Sequence, residues 1–149
     1  MTVEEYMEQR VDDQLNWFER KSSWNQKKFK GYRTGVIGFS VLIPFLTGFI
    51  DKEWGHYFQY IVGALGVSIA FFEGVMSLNK YQENWAQYRA TAESLKREKM
   101  LYETQSGKYE KQENPFHMFV LEVETLLKEE NSKWAEYVRE KEASAQKQP

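Results

Sequence analysis

Two apolar runs constrain this chain more than anything else in it: Thr34 to Ile50 has no charge in 17 residues, and Tyr57 to Leu78 has only Glu73 in 22. At 1.5 Å rise per residue these would be helices of about 25 and 33 Å, which bracket a bilayer hydrocarbon thickness of about 30 Å. The six residues between them, Asp51 to His56, include three charges and predict a tight polar turn. A helical hairpin in a membrane is the reading that fits the lengths. A soluble bundle burying the same runs is the alternative, and it predicts release into the carbonate supernatant without detergent.

Bulk composition hides this pattern. The mean hydropathy is -0.69, and with 28% charged residues and a formal charge of -2 the 149-residue chain has the averages of an ordinary acidic soluble protein. The apolar content is concentrated in residues 34–78, so local composition is what informs. No cysteine is present, which excludes disulfides, thiolate catalysis and thiolate metal sites. Met1 to Arg10 has three glutamates and no apolar core, so it does not read as a cleavable signal peptide.

Charge placement predicts the orientation. Arg20, Lys21, Lys27, Lys28, Lys30 and Arg33 precede the first run without an intervening acid, Lys80 follows the second, and the turn has Lys52 alone. Positive flanks stay on the cytoplasmic side, so both termini are expected in the cytoplasm of a multi-pass inner (plasma) membrane protein. The flanking bases Lys27, Lys28, Lys30, Arg33 and Lys80 would meet lipid headgroups rather than nucleic acid. Trp54, Tyr57 and Tyr60 at one end, with Tyr32, Tyr81 and Trp85 at the other, suit interfacial aromatic belts.

The predicted organisation is all-α and comprises one unit. Residues 1–33 form a cytosolic amphipathic helix ending near Gly31, with Met7, Val11, Gln14 and Phe18 on one face and Trp17 and Trp24 alongside. Residues 34–50 and 57–78 are the two spans, with Pro44 a kink or hinge in the first. Residues 79–142 are cytosolic helices. Tyr81, Trp85, Tyr88, Ala92, Leu95, Lys99 and Tyr102 recur every three to four residues, so the second span is expected to run on as one rod to a C-cap at Gly107. Asn114 and Pro115 predict an N-cap and first residue of a last helix whose face is Phe116, Phe119, Val120, Val123, Leu126, Leu127, Trp134 and Val138. The tail, 143–149, reads as disordered.

Catalytic constellations are not evident. The histidines are His56 and His117, Glu53 and His56 form a lone Glu-x-x-His spacing, and the adjacent Asp12 and Asp13 would point about 100° apart on a helix. No glycine-rich phosphate loop is present, and neither an enzyme nor a cofactor is expected. The polar residues within the second run are more telling: Glu73, with Gln59, Ser68 and Ser77, are candidate intramembrane or pore-facing groups. Glu73 has three readings, snorkelling to the interface, pairing with Arg33 or Lys80, or facing a water-filled path. Gly66, Ala70 and Gly74 recur every four residues, a spacing that lets membrane helices approach closely, within the hairpin or between subunits. Two helices cannot enclose a water path, so conduction would require a homo-oligomer. Trp85, Tyr88, Arg89, Glu93 and Lys96 are candidates for pairing between cytosolic helices.

Several strings carry a resemblance to a known family: RVDDQLNWFERKSSWNQKKFKGYR before the first run, LIPFL within it, QENWAQYRATAESLKREKMLYETQSGKY after the second, and ENSKW near the end. Together they are similar to the SLATT family, two-transmembrane effector domains associated with nucleotide-signalling and nucleotide-sensing domains in prokaryotic conflict systems. The likeness runs from about Tyr6 to Trp134, and its most specific part pairs QENW with Tyr88, Arg89, Glu93, Leu95, Lys96 and Glu98. The resemblance implies an oligomeric pore-forming or channel-like effector of the bacterial inner membrane, acting in nucleotide-triggered antiviral defence. Under it, any upstream signal would come from a separate nucleotide-signalling protein or from a small molecule. The rival expectation is a non-conducting membrane anchor whose cytosolic bundle recruits a partner through the face around Trp85 and Tyr88.

Overall fold

The computed structural model describes residues 2–50 and 55–145. It is all-helical, with no strand among the described residues. Helix α1 (Val3–Tyr6) passes into a π-helical turn (Met7–Asp12), α2 (Asp13–Thr47), α3 (His56–Asn79), α4 (Tyr81–Glu103), a 3₁₀ turn (Gly107–Tyr109) and α5 (Pro115–Ala145). The chain divides into two compact units, residues 1–20 with 88–149, and residues 21–87.

The first unit starts with a capping box. Thr2 Oγ1 accepts from the Glu5 amide at 3.1 Å while Glu5 Oε2 accepts from the Thr2 amide at 2.8 Å, so two otherwise orphaned donors are satisfied. The π turn then changes the register expected for an uninterrupted α-helix. Its wider winding puts residues five apart on one face, so Tyr6 and Val11 are both buried and Met7, the residue the α spacing selects, is only half-buried. Phe18 resumes the core one α-helical repeat later. From α4 come Ala92 and Leu95, from α5 Phe119, Val123 and Leu127, and Tyr109 closes the cluster from the 3₁₀ turn. Tyr102 stacks on Phe119 at 4.6 Å, and Tyr109 meets both rings edge-on.

The end of α4 differs from the expected glycine cap. The Ser106 amide donates to the Leu101 carbonyl at 3.0 Å and the Gln105 amide to Tyr102 at 3.1 Å, a Schellman arrangement in which Gln105, at φ 50, occupies the left-handed position. Gly107, at φ 60, instead opens the 3₁₀ turn. The start of α5 is as the sequence predicts, with Asn114 Oδ1 accepting from the His117 amide at 3.2 Å. Helix α5 extends through Ala145, three residues into the stretch read as a disordered tail; 146–149, and the side chains of Trp134 and Val138, lie outside the described residues.

In the second unit Gly31 does not end a helix: α2 runs through it, because a single glycine costs only about 1 kcal/mol and every intrahelical bond is kept. The helix also passes Pro44 and stops at Thr47, whose Oγ1 donates to the Pro44 carbonyl at 2.8 Å. Phe49 and Ile50 turn back by i to i+3 bonds, so the charge-free helical part is Thr34–Thr47, about 21 Å rather than 25 Å long. Of the predicted turn, Asp51–Trp54 lie outside the described residues. Gly55 precedes α3, and a Cβ there would strike the Phe49 and Ile50 carbonyls, so only glycine fits.

Helix α3 stops at Asn79 instead of continuing as one rod. Lys80 is left-handed, at φ 47 and ψ 42, and α4 starts at Tyr81. Asn84 Nδ2 bridges the break by donating to the Asn79 carbonyl at 3.1 Å, while Asn79 Nδ2 donates back to Val75 within α3 at 2.8 Å. Among the described residues one segment, within Tyr57–Tyr109, is long and apolar enough to cross a membrane, with mean hydropathy 1.9 and 6% of it buried. The shorter apolar part of α2 does not reach that length without including Arg33 and Lys30.

Candidate functional site

The α2–α3 pair of the second unit is held by a ladder of rings. Phe49 and Phe58 meet near the turn at 5.9 Å, Phe39 stacks on Phe72 at 5.8 Å, and Tyr32 lies between Phe72 and Tyr81 at 5.6 and 5.9 Å. Gly35 is the close-approach glycine: a Cβ there would lie 3.3 Å from the Phe72 ring. Gly66 and Gly74 have nothing within 4 Å of the corresponding point, and with Ala70 they are exposed. The small-residue spacing therefore does not pack the helices of one chain together.

Against this ladder sits the acid that the sequence singles out. Arg33 Nη1 donates to Glu73 Oε1 at 2.8 Å, so within one chain Glu73 is paired, as one of its three readings expected. Helix geometry explains the match, since Arg33 and Glu73 each follow by one residue a member of the Tyr32–Phe72 contact. The pair lines a groove of about 500 Å³ with Phe29 and Met76 as its apolar wall and Ser77, Lys80, Gln82 and Glu83 at its polar end. Two cations face two carboxylates, so the lining is formally balanced. Lys80 reaches this groove because its left-handed backbone turns the chain there, a conformation that the sequence alone does not signal for lysine. Gln82 and Glu83 are groove residues the sequence reading missed. The repeating aromatic pattern that flags Tyr81 and Trp85 passes over both.

Of the other candidates, Gln59 is exposed, Ser68 Oγ donates to the Ala64 carbonyl of its own helix, and Ser77 is exposed at the groove. Pro44 sits on the exposed side of α2. Lys28 lies over the Trp24 ring at 5.7 Å and Lys30 over Trp85 at 6.0 Å. Trp85 itself stacks on Phe29, and its carbonyl accepts from the buried Ser22 hydroxyl.

The first unit holds its own polar network. Tyr109, buried, donates to Glu98, and Lys108 Nζ bridges Glu98 at 2.7 Å and Glu122 at 3.1 Å. Burial, helped by the Glu98 carboxylate, pushes the Tyr109 phenol well up. Arg10 clasps Glu124 with two bonds of 2.9 Å, and Tyr6 donates to the same carboxylate at 3.1 Å. The Arg10 bonds hold Glu124 below its ordinary value, while burial raises the Tyr6 phenol to about 12. Lys96 pairs with Glu19 and Lys99 with Asp12, whereas Arg89 and Glu93 pair within α4 instead of between helices. Tyr88 packs on Trp17 and Phe18. The faces of Trp85 and Tyr88 expected to dock a partner are thus covered by this chain's own rings.

Among the described residues no three His, Asp or Glu side chains converge on a metal-sized site. The Glu53 half of the Glu-x-x-His spacing, and the His56 side chain, lie outside the described residues. The balanced groove can orient and neutralise charge at the edge of an apolar surface. It brings no nucleophile against a base. A family model described as a protein of unknown function (DUF4231) matches residues 13–117. No curated protein and no solved structure matches the chain.

Proposed function

We propose that this chain, which belongs to the DUF4231 family, is an oligomeric, ion-conducting or pore-forming protein that crosses the membrane twice, with both termini in the cytoplasm. The observation that carries the reading is the apolar surface turned away from the α2–α3 contact: Val41, Phe45, Val67 and Phe71 are 63–71% exposed. Single exposed apolar residues need no explanation, but a continuous surface of them on paired helices needs lipid or other subunits to cover it. The short apolar part of α2 spans by tilting less and thinning the bilayer locally, while α3 is long enough alone. The basic run before Thr34 and the single lysine of the turn support the orientation.

Oligomerisation is required by this reading, because two helices enclose no water path. The exposed line of Gly66, Ala70 and Gly74, uncontacted within the chain, fits approach by a second copy. The similarity to SLATT effectors supports a pore acting in nucleotide-triggered defence with a separate signalling protein upstream. The test is reconstitution of the full-length protein into planar bilayers. Cation-selective currents that lose selectivity in Glu73→Gln are expected; absent currents, with recovery in the carbonate supernatant, overturn the proposal. Orientation is read from single cysteines, since the chain has none of its own. Cysteine at Ser106 should label only from inside, and at Lys52 only from outside.

The non-conducting anchor is favoured by one observation: Glu73 is already neutralised by Arg33 of its own chain. Under it, induced expression leaves membrane potential intact, whereas a pore collapses it.

A further inference from the structure

We propose that the groove lined by Lys27, Lys28, Gly31, Tyr32 and Phe72 binds a phosphate-bearing anion, either the headgroup of an anionic phospholipid or free phosphate. The lipid source rests on the membrane reading above; the phosphate chemistry does not. The cavity is about 340 Å³, at the lower end of the range for small-ligand sites. Its lining holds two ammonium groups and a phenol and no carboxylate, unlike the balanced groove around Arg33 and Glu73.

Each wall has a definite role. Lys27 and Gly31 are one helical turn apart, as are Lys28 and Tyr32, so two adjacent rows of one helix each carry a lysine into the lining of the groove. The floor is open because Gly31 has no side chain and no atom lies within 4 Å of where a Cβ would be. Tyr32 is fixed by stacking at 16° on Tyr81 and by its contact with Phe72, so this wall of the groove is ordered before a ligand arrives. Lys28 is steered by the Trp24 face. Phe72 supplies the apolar side, where the first carbons of an acyl chain would lie. The groove also stands where the charge-free run starts: Gly31 precedes Thr34 by three residues, about 4.5 Å along the helix. That is the level of phosphates when the apolar run is in hydrocarbon.

Lysines near an anionic surface contribute about a factor of five each, so losing both costs about 30-fold. Full-length protein in neutral detergent is titrated with phosphatidylglycerol, phosphatidylcholine and inorganic phosphate, and retained adducts are read by native mass spectrometry. Preference for phosphatidylglycerol over phosphatidylcholine of about 30-fold is expected, and it should be lost in Lys27→Gln/Lys28→Gln. Gly31→Leu keeps every charge and fills the floor, so it should lose the preference too. Lys111→Gln/Arg139→Gln, matched in charge, should keep it. If inorganic phosphate displaces the lipid, the site takes free phosphate; if it does not, the lipid is the ligand. Equal retention in wild type, Gly31→Leu and the double variant overturns the site, as does equal loss in the matched control. Failure to float with neutral phosphatidylcholine vesicles would sink the membrane reading alone, leaving the phosphate arm to stand or fall by its own variants.

Discussion

Replacing Glu73 with glutamine strands the Arg33 guanidinium, and the cost of doing so reports the medium around the pair. Arg33 Nη1 and Glu73 Oε1 are 2.8 Å apart, and their side chains are 52% and 46% uncovered by protein. Water over that remaining half makes the pair an ordinary surface bridge, worth about 0.2–1 kcal/mol. Hydrocarbon over it makes removal of one partner costly, about 3–5 kcal/mol for a fully desolvated pair and less where snorkelling reaches the interface. A double-mutant cycle separates these cases, with Arg33→Gln, Glu73→Gln and the double variant measured by unfolding in mixed micelles. A coupling of about 2 kcal/mol or more is expected. Coupling below about 0.5 kcal/mol would refute the placement of this pair at the edge of the hydrocarbon.

Tyr109→Phe deletes the hydroxyl donor to buried Glu98, and a loss of about 1.5–3 kcal/mol in unfolding free energy is expected, while Tyr102→Leu should chiefly cost ring packing. The Arg10–Glu124 bridge stabilises the first unit only when Glu124 is ionised; its folded pKa lies below the ordinary 4.5, so the contribution is complete above that pH and lost as pH falls through the folded value. With both side chains more than 40% exposed it amounts to about 1 kcal/mol or less, visible as a gap between wild type and Glu124→Gln that closes in acid. Gly55→Ala should destabilise by more than about 2 kcal/mol, because the new methyl meets backbone carbonyls that cannot yield, whereas Gly35→Ala meets only the edge of the Phe72 ring and should cost under about 1 kcal/mol; thermal unfolding of the two variants ranks them. Gln105→Gly relieves the left-handed backbone at the α4 cap and should raise stability by about 0.5 kcal/mol in the same assay.

Periodicity was enough to assign helices and most of the first unit's core, because Phe18, Ala92, Leu95, Phe119 and Val123 each lie where an α-helical stripe puts them. It failed at Tyr6, since a π turn shifts which residue faces inward and no residue type announces that turn. It failed again at Lys80 and Gln105, two left-handed positions without glycine, held by an asparagine bridge in one case and a paired amide cap in the other. Helix α2 also runs through Gly31, which reads locally as its end, and past Pro44, which reads as a kink or hinge.

What the sequence determined by itself was the two apolar runs and the basic stretch before the first, properties that depend only on the order of residues. Their predicted lengths held for α3 and shrank for α2, where bonds back to Pro44 and Leu46 end the helix early. Which charge met Glu73 was open between Arg33 and Lys80, both within reach along the chain. Only the tertiary structure decided it, because partner choice depends on how two helices are rotated about their own axes. The tilted ring contact of Tyr32 with Phe72 fixes that rotation. The same rotation leaves Lys27 and Lys28 on a second face, beside an open glycine and away from every carboxylate of the first groove.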